Sequence, residues 1–114
     1  MLYEIRNYHY DHKYFEEYKR WAAEVSAPFF RKKRWDVVGA WVNTDIPAIY
    51  GGSLPRDETL TPANMTWIIR WKDKETRDKA WAEIQKELER LLSTVPGGRK
   101  SYLRTEAKFA EAIE

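Results

Sequence analysis

Near the start of the chain, Glu4, Arg6 and Tyr8 occupy alternate positions of the run LYEIRNYHY, residues 2 to 10. Alternate residues of an extended chain share a face, with successive members about 6.5 Å apart. A carboxylate, a guanidinium and a phenol in a row carry specific chemistry. The guanidinium grips a carboxylate or oxyanion with two parallel hydrogen bonds, and the phenol donates beside it. A Glu held among apolar groups has a raised pKa and can act as a general acid or base. These three are the candidate catalytic residues. A plainer reading stands beside this one: Glu4 and Arg6 neutralise each other, or their symmetry mates across a dimer, because buried charges need partners.

Trp41, Trp67 and Trp71 are the candidate ligand-binding residues, an aromatic wall spread over two further extended segments. Each alone reads as core or interface, and together at least one is expected to meet a cavity. His9 has the opposite parity to the trio, and His12 opens a helix. Neither has metal-ligand spacing, and the chain has no Cys, so no metal and no cofactor are expected. RKKR, residues 31 to 34, falls in the last turn of a helix, where cations complement the dipole. Asn64-Met65-Thr66 matches a glycosylation sequon by chance, and Gly51-Gly52 lacks the Lys and Ser/Thr of a phosphate loop.

The elements that position these residues follow from periodicity. The 114 residues form a single domain, residues 1 to 114. Asp11 caps a helix over about 12 to 33, striped by Phe15, Tyr18, Ala22, Val25 and Phe29 and kinked or divided at Pro28. WDVVGAWVN, 35 to 43, is the second strand. A long loop over 45 to 63, rich in Pro and Gly, holds at most a brief extended piece at 48 to 50; its length and glycine pair suggest a lid. MTWIIRW, 65 to 71, is a central third strand. Asp73 then caps a second helix striped by Trp81, Ile84, Leu88 and Leu91, ending near Thr94. SYLRTEAKF, 101 to 109, is the fourth strand. The order βαββαβ gives an α+β, ferredoxin-like fold with two helices on one face of an antiparallel sheet.

Composition narrows the partners. Twenty basic residues against 18 acidic ones, net +2, do not make the footprint of a nucleic-acid binder. No apolar run approaches a membrane span and no secretory signal is visible, so a cytoplasmic protein with no membrane partner is expected. Six Trp and seven Tyr are more rings than a small core absorbs. Rings with polar tips favour interfaces, and a helix-free face bearing them calls for a second copy of the chain.

Tyr3-Glu4-Ile5-Arg6 with Tyr8, then Val38-Gly39-Ala40-Trp41, then Ile69-Arg70-Trp71 with Arg77, resembles the NIPSNAP family. The likeness spans residues 1 to about 85. It implies a homodimer of the dimeric α+β barrel kind, with two sheets face to face around a shared chamber into which Glu4, Arg6 and Tyr8 look. It implies little about chemistry. Trp71 and Trp67 stand where relatives carry Tyr and His, which removes two proton-handling groups and adds aromatic wall.

Three functions are expected in order. First comes a small-molecule binder or cofactor-free enzyme taking an apolar or aromatic ligand with an anionic or carbonyl end. Second is a non-catalytic dimeric structural module. An RNA binder using sheet aromatics comes last, since no RNP-like stretch is present.

Overall fold

A computed structural model describes residues 1–57 and 61–114. The strands are β1 (Leu2–Tyr10), β2 (Asp36–Val42), β3 (Met65–Trp71) and β4 (Tyr102–Glu111). They form one antiparallel sheet in the order β2-β3-β1-β4, so β1 and β3 are central. Between β1 and β2 lie a 3₁₀ turn (His12–Tyr14), α1 (Phe15–Trp21), a π-helical stretch (Ala22–Ser26) and α2 (Ala27–Lys32). Between β3 and β4 lie α3 (Lys74–Glu83) and α4 (Gln85–Leu92), then a 3₁₀ turn (Arg99–Ser101). This is the ferredoxin-like α+β arrangement expected from the order of elements. Among the described residues no helix is long and apolar enough to cross a membrane.

Capping follows the sequence. The Asp11 side chain accepts from the Lys13 backbone N–H, and Asp73 accepts from that of Thr76 at 2.8 Å. Each satisfies a donor that the first helical turn leaves open.

The first helical layer departs from a simple stripe. Pro28 lies in the first turn of α2, directly after the π stretch, where its missing N–H costs least. A π turn holds one residue more than an α turn, so the buried phase advances by one position. Tyr18 and Ala22 face the core as expected, but beyond the π stretch Phe30 is 4% exposed while Val25 is 40% exposed and Phe29 only half-buried. Trp21 joins the buried set. The second stripe holds its phase: Ile84 and Leu91 are buried, with Trp81 and Leu88 packed against them.

The helices cover the face that carries the even-numbered residues of β1. Cross-strand pairing sets Glu4 beside Ile69, Arg6 beside Trp67 and Tyr8 beside Met65, and all three partners are buried. Tyr3, Ile5, Asn7 and His9 take the other face, with Thr66, Ile68 and Arg70. The expected chamber on the uncovered face, with Glu4, Arg6 and Tyr8 looking into it, is therefore overturned: the trio lies beneath the helices. The continuous apolar row of β3 is what the helices cover, and register carries the trio with it.

The loop after β2 runs over the surface. Ile49 is 98% exposed, and no strand forms at 48 to 50. Residues 58–60 of the expected 45–63 lid lie outside the described residues. Asn64 is buried, its side chain bonded both ways to the Tyr10 backbone at 2.8 and 2.9 Å, which removes it as a glycan acceptor.

The π-turn phase makes a direct prediction. Phe30→Ala should cost about 3–5 kcal/mol of folding stability, whereas Val25→Ala should stay within about 0.5 kcal/mol, measured by urea unfolding. Equal costs would show that the stripe runs through unshifted.

Candidate functional site

The candidate residues divide into two adjoining groups. One is a charge cluster centred on Glu4, which is 0% exposed. Five N–H groups donate to its carboxylate. Oε1 accepts from Trp71 Nε1 at 3.0 Å, Arg77 Nε at 3.0 Å and Trp81 Nε1 at 3.1 Å. Oε2 accepts from Arg6 Nη1 at 2.7 Å and Arg77 Nη2 at 2.9 Å. A carboxylate offers about four lone-pair positions, so this one is saturated.

Electrostatics follow from that geometry. Burial alone would raise the pKa of Glu4, but hydrogen bonds from Arg77, Arg6 and Trp81 outweigh it and hold the carboxyl below its ordinary range. Glu4 thus stays ionised and has no lone pair with which to take a substrate proton. Of the two readings of this residue, the structural one prevails, and its expected role as an acid or base is withdrawn. Burial likewise works against the Arg6 cation, yet Tyr8 and Glu4 outweigh it and raise its pKa. Arg6 also lies against the Trp81 ring, 4.8 Å from its centroid.

Arg77 and Trp81 were not among the candidates. Both sit on α3 four residues apart, hence on one helix face, and in phase with Ile84 and Leu88. An Arg in line with an apolar stripe is a signal of a buried counter-charge waiting on the sheet. Trp71, a candidate ligand contact, belongs to this cluster and does not line the cavity.

The second group surrounds a cavity of about 390 Å³ between the sheet and the helices. Tyr8 and Trp67 line it, together with Tyr18, Trp21, Phe30 and Tyr102. Trp41 borders it at the edge strand, half exposed, although its register beside Thr66 sets its side chain on the open face. A Cβ on Gly39 would come within 2.8 Å of the Trp41 ring, so glycine allows that ring to lie close against the strand. Neither Glu4 nor Arg6 lines this space, nor does any described residue of the 45–63 loop.

Tyr8 joins the two groups. Its oxygen accepts from Arg6 Nε at 2.7 Å and from Trp67 Nε1 at 2.8 Å. Two acceptances use the phenol's acceptor capacity and leave it its proton. That proton has no acceptor among the described residues. Nearby, Tyr18 donates to the Tyr102 hydroxyl at 3.3 Å. Burial pushes both of those phenols well above the ordinary tyrosine value, so both remain neutral donors. The cavity thus has an apolar wall and a phenolic floor.

Among the described residues no group of three or more His, Cys, Asp or Glu side chains gathers in metal-binding geometry. Arg70 pairs with Asp36 at 2.7 Å on the exposed sheet edge.

Comparison with known proteins supports the fold. The chain is similar to a solved structure of an Agrobacterium tumefaciens protein, with TM-score 0.71 and 19% identity over 97% of this chain and 92% of that one. It is also similar to an uncharacterized NIPSNAP domain protein from Burkholderia xenovorans, with TM-score 0.65 and 13% identity over 99% and 95% of the two chains. No family model and no curated protein matches the sequence. The fold is accordingly NIPSNAP-like.

Glu4→Gln should cost about 3–5 kcal/mol, because two guanidinium groups lose their buried counter-charge. The pH dependence has a definite sign. A carboxyl whose folded pKa is depressed contributes its full stabilisation above its unfolded value, ordinarily 4.5, and loses it as pH falls through the folded value. Denaturation curves should therefore show wild-type stability falling below about pH 4.5 and a flatter acid limb in the variant. Identical acid limbs would place the titrating carboxylates elsewhere, at the exposed Asp73 and Asp78, whose pKa values are also lowered.

Proposed function

We propose that this protein binds a small apolar molecule in the cavity between sheet and helices, with a ligand oxygen accepting the Tyr8 proton. The uncommitted phenol proton carries this reading. Tyr8 is fixed by a cation and an indole, faces apolar walls, and has no acceptor of its own among the described residues. The cavity volume lies within the range usual for small-molecule sites, and one convergent polar group on an apolar wall is their common pattern. A hydrogen-bond donor in such a place selects a carbonyl or similar oxygen, since leaving the donor unmatched is costly. The same donor would polarise a bound carbonyl, so Tyr8 is the residue through which any cofactor-free chemistry here would run. Arg6 positions Tyr8 rather than gripping the ligand.

A homodimer is part of the proposal, supported by the open face of the sheet. Ile5 and Ile68 are only half-buried there, and Val38 and Trp41 are each 50% exposed along the edge strand. The molecule is a plate 19 Å thick with helices on one side only. A second sheet packed against this face would bury an interface on the order of 1,600 Å² in total.

A medium-chain methyl ketone should bind the wild type in titration calorimetry, and Tyr8→Phe should weaken it about tenfold with the fold retained. Absence of binding to the wild type, or equal affinity in the variant, would overturn the reading. In sedimentation equilibrium the wild type should be a dimer and Ile68→Glu a folded monomer. A wild-type monomer would remove the dimer from the account.

A further inference from the structure

The cavity is chemically different at its two ends. Its floor carries neutral phenols, while its border includes two cationic side chains, Lys19 of α1 and Arg31 of α2. These cations are not equivalent. Lys19 Nζ is held by Glu16 at 2.9 Å, within its own helix. Arg31 is exposed, and its guanidinium has no partner among the described residues. The neighbouring Lys33 turns away to Glu87 at 2.5 Å. The basic run 31 to 34 therefore does more than complement a helix end: one of its members borders the mouth of an apolar cavity with its fork of donors unused.

We infer that the ligand is an elongated amphipathic anion, its apolar body in the cavity, its acidic head on Arg31 at the mouth and its inner oxygen on Tyr8. This rests on the cavity being a ligand site, as proposed above, and adds the polarity and orientation of what enters it. A guanidinium presents parallel N–H groups that match the two oxygens of a carboxylate. Lys19 stands on the same border as a second, weaker source of positive potential. The walls between offer indole, phenyl and aliphatic surface, which selects an alkyl or aryl body over a sugar or nucleotide. Buried Glu4 adds no repulsion at the mouth, because its charge is matched by Arg6 and Arg77 on the far side of Tyr8.

Three probes separate the ends: a fatty acid with a ketone beside its terminal methyl group, the same acid without the ketone, and the methyl ketone without the carboxylate. Titration calorimetry over hexanoate to dodecanoate lengths should find the keto acid bound most tightly. Arg31→Gln should weaken both acids about tenfold and leave the ketone unchanged, while Arg31→Lys restores part of the loss. Lys32→Gln, which alters a cation that does not border the cavity, should change nothing. Equal affinities of the keto acid and the methyl ketone for the wild type, or an Arg31→Gln variant that binds acids normally, would overturn the head-group assignment and leave the cavity reading standing. Equal losses from Lys32→Gln and Arg31→Gln would overturn it as well, since net charge alone would then explain both. Failure of every probe to bind the wild type would overturn the cavity reading together with this one.

Discussion

A buried carboxylate with five donors around it organises this molecule. Glu4 stands on a central strand and is bonded by its own strand through Arg6, by β3 through Trp71, and by α3 through Arg77 and Trp81. An unpaired charge at that depth would cost many kcal/mol, so sheet and helix are held at a spacing that keeps every donor in reach. Register enters as well. Sliding β1 by one residue would carry Glu4 and Arg6 together to the open face and leave Arg77 of α3 without the Glu4 counter-charge. The ion cluster therefore specifies the arrangement more than it adds to net stability.

From that anchor the rest of the site follows by alternation along one strand. Two residues beyond Glu4, Arg6 spends its donors on Glu4 and on Tyr8. Two residues further, Tyr8 receives from Arg6 and Trp67 and lines the cavity. Charge is thus concentrated toward one end of the strand, and a phenol held by two donors stands at the other. Catalysis through Glu4 would have required it to be free, and the geometry commits it fully.

Much of the fold was legible because local signals agreed with one another. Asp11 and Asp73 cap as their spacing suggests, the 65–71 run is a central strand, and the element order yields the sheet order. Parity along β1 was legible too, since Glu4, Arg6 and Tyr8 do share a face. Which face they share was not. That depends on whether the helices cover the even or the odd residues of β1, a tertiary choice settled by the buried row Met65, Trp67, Ile69 and Trp71. Phe30 escaped for a different reason: a π turn shifts the helical phase, and no residue type announces one. Arg77 and Trp81 became partners of Glu4 only once α3 was laid across the sheet.

The account turns on Glu4 being a permanently ionised, saturated carboxylate. Carbon-13 NMR of the Glu4 carboxyl through an acid titration tests this most directly. The expected result is a resonance that stays at its ionised position below pH 4.5, the ordinary value for glutamate, until the fold is lost. A carboxyl that titrates at or above that value in the folded protein would contradict the account and return Glu4 to the role of a proton carrier.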